Sequence, residues 1–147
     1  MAFYTLSRQN VTPTNGNDLV TLVAAANRRL RVVKCSVTAA GTASGTQNLV
    51  QLVRATTAGV TGGGAITPQA VAADMPAAAF TANTTWSTQP VLPANGGALF
   101  QLASNGAIRS ESWFPEQAIE ARNAENISLR SVSGSTAVSF DLEIEEV

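Results

Sequence analysis

Short runs of β-branched and aliphatic residues, separated by turn-forming clusters, recur along almost the whole chain of 147 residues. The most regular is "AVSFDLEIEEV" at 137–147, in which Val138, Phe140, Leu142 and Ile144 alternate with polar or acidic residues. A period of two is typical of a strand with one apolar and one polar face. Roughly eight to ten such runs at spacings of about 8–12 residues predict an all-β antiparallel sandwich or barrel, formed as one domain over 1–147.

Some of the runs do not alternate cleanly. In "RRLRVVKCSV" (28–37), Leu30 and Val32 fall on one face, whereas Val33, Cys35 and Val37 fall on the other. Strands of this kind are either bulged or buried on both faces. Burial on both faces of a small antiparallel sandwich requires a cover for the outer face, and a neighbouring subunit is the simplest source of one.

Helix signals are scarce. The segment "TPQAVAAD" (67–74) has the length of one or two turns, with Pro68 near its first position. The segment "PEQAIEARNAEN" (115–126) contains good helix formers, but Ile119 is its only large apolar residue. Because it lacks an amphipathic stripe, we interpret it as strand. We expect at most one short helix, and no apolar stretch long enough to span a membrane as a helix.

Residue types on which many enzymes depend are rare in this chain. It contains no histidine, one lysine (Lys34) and one cysteine (Cys35). Without histidine, the commonest general base and every Ser-His or Cys-His nucleophile pair are excluded. Cys35 lies in an apolar run, which is typical of a buried and inert thiol. We therefore expect no catalytic residues, no cofactor and no enzyme; a hydrolase would have to use Glu111 with Glu116.

The final run places three carboxylates, Asp141, Glu143 and Glu145, on one face of the expected strand. Alternate residues of a strand stand about 6.5–7 Å apart, which is too far for all three to bind one calcium ion. We therefore expect no metal site here, and a polar face that is mainly solvated.

Basic residues cluster in the run 28–34, which contains Arg28, Arg29, Arg31 and Lys34. No aromatic residue is interleaved with them and the net charge is −1, so binding to nucleic acid or to an anionic membrane is not expected. Arg29 and Arg31 share a strand face, as do Glu143 and Glu145. We predict that these two strands exchange cross-strand ion pairs, within one chain or between chains.

Charged residues make up 13% of the chain, against about 25% in an average soluble domain. From Ala55 to Ala107 the only charged residue is Asp74. Such a segment is either a set of polar, uncharged loops or a surface covered by other subunits, because interface cores are depleted in charge. For the second case we predict that its large apolar side chains contact another copy or another protein. They are Val60, Ile66, Val71, Met75, Phe80 and Trp86.

Five stretches carry a resemblance to a known class of proteins. They are "AFYTLSRQNVT", "RRLRVVKCSVTA", "VQLVRATTAGVTGGGAITPQAV", "TANTTWSTQP" and "AIEARNAENISLRSVSGSTAVSFDLEIEEV". In this pattern, and in its Ala/Thr/Gly-rich composition, the chain resembles the small β-sandwich head decoration (cement) proteins of tailed bacteriophages. The likeness extends over essentially the whole chain.

The resemblance implies a jelly-roll-like fold and a structural role without enzymatic activity. It implies a homo-oligomer, most simply a trimer, that binds the major capsid protein on the exterior of the virion after assembly in the host cytoplasm. There it would tie neighbouring shell subunits together. The alternative is a receptor- or carbohydrate-binding jelly roll of a phage tail fibre, in which Trp86 or Trp113 would be exposed beside polar loop residues.

Overall fold

The structure is a computed structural model that describes residues 1–39, 47–57, 59–104, 108–113 and 117–147, except for the side chains of Val60 and Thr61. The described residues form strands and turns and contain no α-helix. The strands are β1 (Ala2–Val11), β2 (Asp18–Val23), β3 (Arg29–Ala39), β4 (Asn48–Ala55), β5 (Val60–Thr61), β6 (Gln69–Ala70), β7 (Thr81–Asn83), β8 (Trp86–Thr88), β9 (Ala98–Ser104), β10 (Ile108–Ser112), β11 (Ile119–Arg122), β12 (Asn126–Ser133) and β13 (Val138–Glu146).

The long strands pair in a nested order. β1 pairs with β13, β2 with β12, β3 with β10 and β11, and β4 with β9, all antiparallel. Two further pairs, β13 with β3 and β12 with β4, complete the sheets. Sheet A has the order β10-β3-β13-β1-β6, with β11 beside β3, and sheet B has the order β7-β2-β12-β4-β9. Nested antiparallel pairs folded into two sheets form a jelly roll, so the prediction of an all-β, jelly-roll-like sandwich is confirmed.

The core lies between the two sheets and is built from the alternate apolar residues of their strands. Val138, Phe140, Leu142 and Ile144 all point into it, as the period of two predicts. The polar residues between them face the outside of sheet A. Each sheet therefore presents one outer face to solvent or to whatever else covers it.

A bulge explains the broken alternation of β3. Lys34 lies opposite Glu143, but the next pair is Val32 with Ile144, so Val33 is the extra residue. An extra residue shifts the phase of a strand by one position. Leu30 and Val32 on one side of the bulge, and Cys35 and Val37 on the other, therefore all reach the same core.

Neither possible helix is present among the residues that the structure describes. Within 67–74 the chain forms β6, which pairs with Tyr4 and Thr5 of β1. Within 115–126 it forms β11, as the missing amphipathic stripe predicted, although residues 114–116 lie outside the described part of the chain. The described residues form thirteen strands, more than the expected eight to ten, because several of them are only two or three residues long.

Candidate interaction surface

The charge-poor segment forms most of a long insertion between β4 and β9. We call residues 56–97 the insertion. Its strand β6 joins the edge of sheet A beside β1, its strand β7 joins the edge of sheet B beside β2, and β5 pairs with β8. At its base, the Thr56 N–H donates to the Val91 carbonyl over 2.8 Å. The insertion therefore extends both sheets along one side of the sandwich, while β9 and β10 remain at the opposite edges.

A buried polar layer lies on the outer face of sheet B, beneath the insertion. Thr21 Oγ1 donates to Asp18 Oδ2 over 3.0 Å and lies 2.9 Å from Ser128 Oγ, and the Arg130 guanidinium is ion-paired with Asp18. All four residues are buried. In the sequence these four residues occupy positions typical of the solvent-facing side of a strand, so their burial was not predicted.

The insertion itself contacts this polar layer. Arg130 donates to the carbonyl of Pro90 over 2.9 Å, and the side-chain oxygen of Gln89 accepts from the Asp18 N–H over 3.0 Å. These bonds satisfy groups that would otherwise be costly to bury. The chain thus covers the outer face of β2 and β12 with its own residues, and a neighbouring subunit is not needed there.

The six side chains predicted for an interface do not share one environment. Val71 is 62% exposed, whereas Ile66, Met75 and Trp86 are half-buried. Val60 pairs with Thr88 through its backbone, and its side chain lies outside the described residues.

Phe80 corrects the prediction that its side chain contacts another chain. It is only 3% exposed, and its ring packs edge-on against Tyr4 with 5.6 Å between the ring centroids. Phe80 is therefore a core residue of its own chain, and its aromatic surface is not available to a partner.

Other exposed apolar side chains were not singled out by the sequence. Val91 in the insertion is 53% exposed, Ile108 on β10 is 71% exposed, and Leu99 on β9 is also exposed. Their sequence neighbours do not alternate regularly between apolar and polar residues, so no periodic pattern marks them. Together with Val71, these residues expose apolar side chains both on the insertion and on the open sheet edges opposite it.

The ion pairs between β3 and β13 are only partly those predicted. Arg31 binds Glu145 over 3.1 Å, as predicted, but Glu143 binds Lys34 over 2.8 Å instead of an arginine. The bulge causes the difference, because it brings Lys34 onto the face of Arg31. Arg29 lies opposite Val147 and has no ion pair in the described part of the chain.

Arg31 also joins a third strand to this network. Its Nε donates to Glu120 of β11 over 2.9 Å, and Glu120 is paired with Arg122 as well. Hydrogen bonds that Arg31 donates to Glu120 and Glu145 raise the pKa of Arg31, and the bond that Lys34 donates to Glu143 raises the pKa of Lys34. Burial acts to raise the pKa of Glu120, but the bonds from Arg31 and Arg122 outweigh it and hold that pKa below the usual value.

Two of the three carboxylates on the outer face of β13, Glu143 and Glu145, are in ion pairs with Lys34 and Arg31. Among the described residues, no group of three or more Asp, Glu or Cys side chains is placed to hold a metal ion. Glu145 is 0% exposed, so this part of the face is not solvated as expected. Cys35 is buried in the core, and desolvation raises the pKa of its thiol to about 12, which keeps it protonated.

Trp86 lies beside a small polar cavity. The cavity has a volume of about 220 Å³ and is lined mainly by residues of the β1–β2 connection and of the insertion. Its polar lining consists of Thr12, Thr14, Asn17, Asp18, Thr84, Thr85 and Gln89. Trp113 instead packs edge-on against Phe100, with 5.0 Å between the ring centroids. Of the two tryptophans, Trp86 is therefore the one that meets polar loop residues at a cavity.

The residues considered for hydrolysis are not assembled into a site that the structure describes. Glu111 lies exposed on β10, opposite Cys35 of β3. Glu116 lies outside the described residues.

No protein-family model matches the chain, and no curated protein or solved structure matches it either. Within the described ranges, no helix has the length and hydropathy that crossing a bilayer requires. Inference about function therefore depends on the fold and on the surfaces described above.

Proposed function

We propose that this chain is a structural virion protein, a decoration or cement protein that binds the outer surface of a bacteriophage head and stabilises contacts between major capsid subunits. Copies of the chain associate, as a trimer in the form that the resemblance implies. A jelly-roll fold is compatible with this role but is not specific to it, because the same fold serves many functions.

The surface of the insertion is the observation that carries the proposal. Asp74 is the only charged residue in 56–97, and Val71 and Val91 are more than half exposed there. A surface that is poor in charge and contains exposed apolar side chains has the composition of an interface core. The bonds to Arg130 and Asp18 hold the insertion on a rigid sheet, so this surface is ordered before a partner binds.

Decoration of a shell does not require strong individual contacts. A modest apolar contact is repeated at every equivalent site of the capsid, and contacts made by one oligomer act together. In the proposed arrangement, the exposed valines of the insertion pack against the shell surface. Each oligomer then spans neighbouring capsid subunits and resists their separation.

The test measures capture of the purified protein by undecorated, expanded heads of the virus that encodes it. Co-sedimentation gives the binding curve, and the thermal stability of the heads gives the cementing effect. We expect saturable binding and heads that break at a higher temperature. Val71→Asp and Val91→Asp, made separately, should each weaken capture about tenfold or more, since each buries a charge in the contact.

Val132→Asp is the matched control, because Val132 is an exposed valine outside the insertion. All three variants should change the free energy of unfolding by no more than about 0.5 kcal/mol, which a denaturant titration checks. Heads that capture no wild-type protein would refute the proposal. Equal capture of all three variants would show that the insertion is not the docking surface.

The cavity beside Trp86 favours a second candidate, a carbohydrate-binding module. An aromatic ring next to hydroxyl and amide groups is a common arrangement for binding a sugar. A glycan array would test it. A specific hit that is lost in Trp86→Ala and kept in Trp113→Ala would favour this function over capsid decoration.

A further inference from the structure

The two sides of the sandwich differ in how their sheet edges end. On one side, β6 and β7 of the insertion extend both sheets. On the other side, β10 is the edge strand of sheet A, and β3 is its only pairing partner among the described strands. All five side chains of β10 are exposed. Unpaired edges of this kind pair readily with another strand unless something prevents it.

The direction of the free backbone groups of β10 follows from one hydrogen bond. The Trp113 N–H donates to the carbonyl of Val33 over 2.8 Å, next to the pair formed by Ser112 and Lys34. Successive residues of a strand point their N–H and C=O groups alternately to opposite sides. Arg109 and Glu111 therefore direct these groups towards β3, whereas Ile108, Ser110 and Ser112 direct theirs outwards. Among the described residues, no other strand pairs with these three N–H groups and three carbonyls.

The side chains of β10 are complementary to a second copy of the same strand. Its sequence is Ile-Arg-Ser-Glu-Ser over 108–112. In an antiparallel pair with a two-fold axis at Ser110, Arg109 lies opposite Glu111 of the second copy, and Glu111 lies opposite Arg109 of the second copy. Ser110 then forms a hydrogen-bonded pair with itself, as its outward N–H and C=O require. The two Arg–Glu pairs fall at the positions without backbone hydrogen bonds, where opposed side chains come closest.

The charges select this register over its neighbours. The smallest shifts that keep the outward groups paired move one strand by two residues. One such shift places Arg109 opposite Arg109 of the second copy, and the other places Glu111 opposite Glu111. Parallel pairing in register also opposes like charges. Charges on an edge strand usually disfavour pairing with another strand. In β10 they disfavour the two shifted antiparallel registers and the parallel pairing, and they favour the antiparallel register centred on Ser110.

We propose that two copies of the chain associate through β10, so that sheet A continues from one copy into the next across a two-fold axis at Ser110. A two-fold contact uses the same patch on both copies and closes on two of them. It is distinct from any three-fold contact within a trimer, and it would join trimers in pairs if they form. The contact does not depend on the proposed capsid role.

Charge reversal tests the contact by sedimentation velocity over a concentration series. The wild-type protein should form an assembly with an even number of copies. Arg109→Glu and Glu111→Arg, made separately, each oppose two like-charged pairs and should raise the dissociation constant about tenfold or more. The assembly mass should therefore fall by half at concentrations where the wild type is fully associated.

Restoring complementarity distinguishes a lost contact from a damaged fold. The double variant R109E/E111R should associate like the wild type. An equimolar mixture of Arg109→Glu and Glu111→Arg should also associate, since each chain then supplies the charges that the other lacks. Asp74→Arg, a reversal at an exposed position of the insertion, should leave the mass unchanged.

Ser110→Pro tests the backbone part of the contact. Its N–H points away from β3, so proline removes a donor that the fold does not use while blocking the centre of the pair. The variant should keep the wild-type circular dichroism spectrum and lose association. A wild type that stays monomeric at high concentration would overturn the proposal, as would an assembly that survives Arg109→Glu. Neither result would refute the proposed capsid role, because saturable capture by heads is measured separately.

Discussion

Arg31 is the residue on which the outer face of sheet A depends. Its guanidinium binds Glu145 of β13 and Glu120 of β11, and so connects three strands. Glu145 is fully buried, and an unpaired carboxylate there would be strongly destabilising. The planar fork of arginine can serve two carboxylates at once, which the single ammonium of lysine does less well. We therefore regard Arg31 as a structural residue and not as part of a binding site.

Replacing Glu120 by glutamine should make the role of this network measurable. The pKa of Glu120 is lowered in the folded protein, so its contribution is present above the usual value of 4.5 and is lost as pH falls through the folded value. Glu120→Gln should lower the free energy of unfolding by about 1–2 kcal/mol at neutral pH. The deficit should shrink once the pH is well below 4.5.

Urea titrations at several pH values would measure this difference. Asp74→Asn is the control, because Asp74 is exposed and has no ion pair in the described ranges. A deficit for Glu120→Gln that stays the same in acid would show that the loss comes from packing and not from the charge.

Among the elements, the long strands of the sandwich were predictable because their information is local. Alternation of apolar and polar residues marks β13, and the change of phase within 28–37 is the local sign of the bulge in β3. Pairing is not local: Lys34 could be matched with Glu143 only once the register of β3 against β13 was known. The positions of the long strands therefore followed from the sequence, whereas only one of the two ion pairs between β3 and β13 did.

The environment of the insertion stayed open at the level of the sequence for a related reason. Its lack of charge was visible, but the same composition fits a surface hidden by another subunit and one that packs on its own chain. Asp18 and Arg130 bind Gln89 and Pro90 across long stretches of sequence, so this part of the insertion packs on its own chain. Polar residues that are buried by a distant segment carry no periodic signal. Phe80 was assigned to an interface because the sequence does not show that its ring packs against Tyr4, which is distant along the chain.

Arg130→Met should detach part of the insertion from sheet B. It removes the ion pair with Asp18 and the bond to the Pro90 carbonyl, and it leaves a buried carboxylate without its partner. We expect a loss of about 3–5 kcal/mol in the free energy of unfolding. Backbone amides around Gln89 should exchange with deuterium faster, while those of β13 keep their protection relative to global unfolding.

The double variant Asp18→Leu with Arg130→Met separates charge burial from packing. With both charges gone, no unpaired ion remains, so the double variant should be more stable than Arg130→Met alone. Exchange near Gln89 should remain fast, because the bond to Pro90 is still missing. A double variant that is less stable than the single one would contradict this account of the polar layer.

At the scale of the whole molecule, the sandwich has two unlike sides. The insertion closes the side of β1 and β2 and presents exposed valines with a single charge, whereas β10 leaves an open edge with one charge of each sign. A surface with a single charge does not require a particular pattern of charges on its partner, so it suits contact with a different protein. A self-complementary edge suits an identical copy. In the proposed protein, the first side binds the shell and the second joins neighbouring decorating units.

These two surfaces should fail independently. Val71→Asp should weaken capture by heads about tenfold or more and keep wild-type association in solution. Arg109→Glu should lose association but keep the docking surface, so it should reach the same number of copies per head at saturation. Its half-saturation concentration should rise by about tenfold or more, because linked copies no longer raise one another's effective concentration. Mixing it with Glu111→Arg should restore tight capture, since the mixed pair regains both Arg–Glu contacts.

The contradicting result is a loss of capture and of association by the same factor in both single variants. One surface would then serve both purposes, and the distinction between the insertion and the open edge would be wrong.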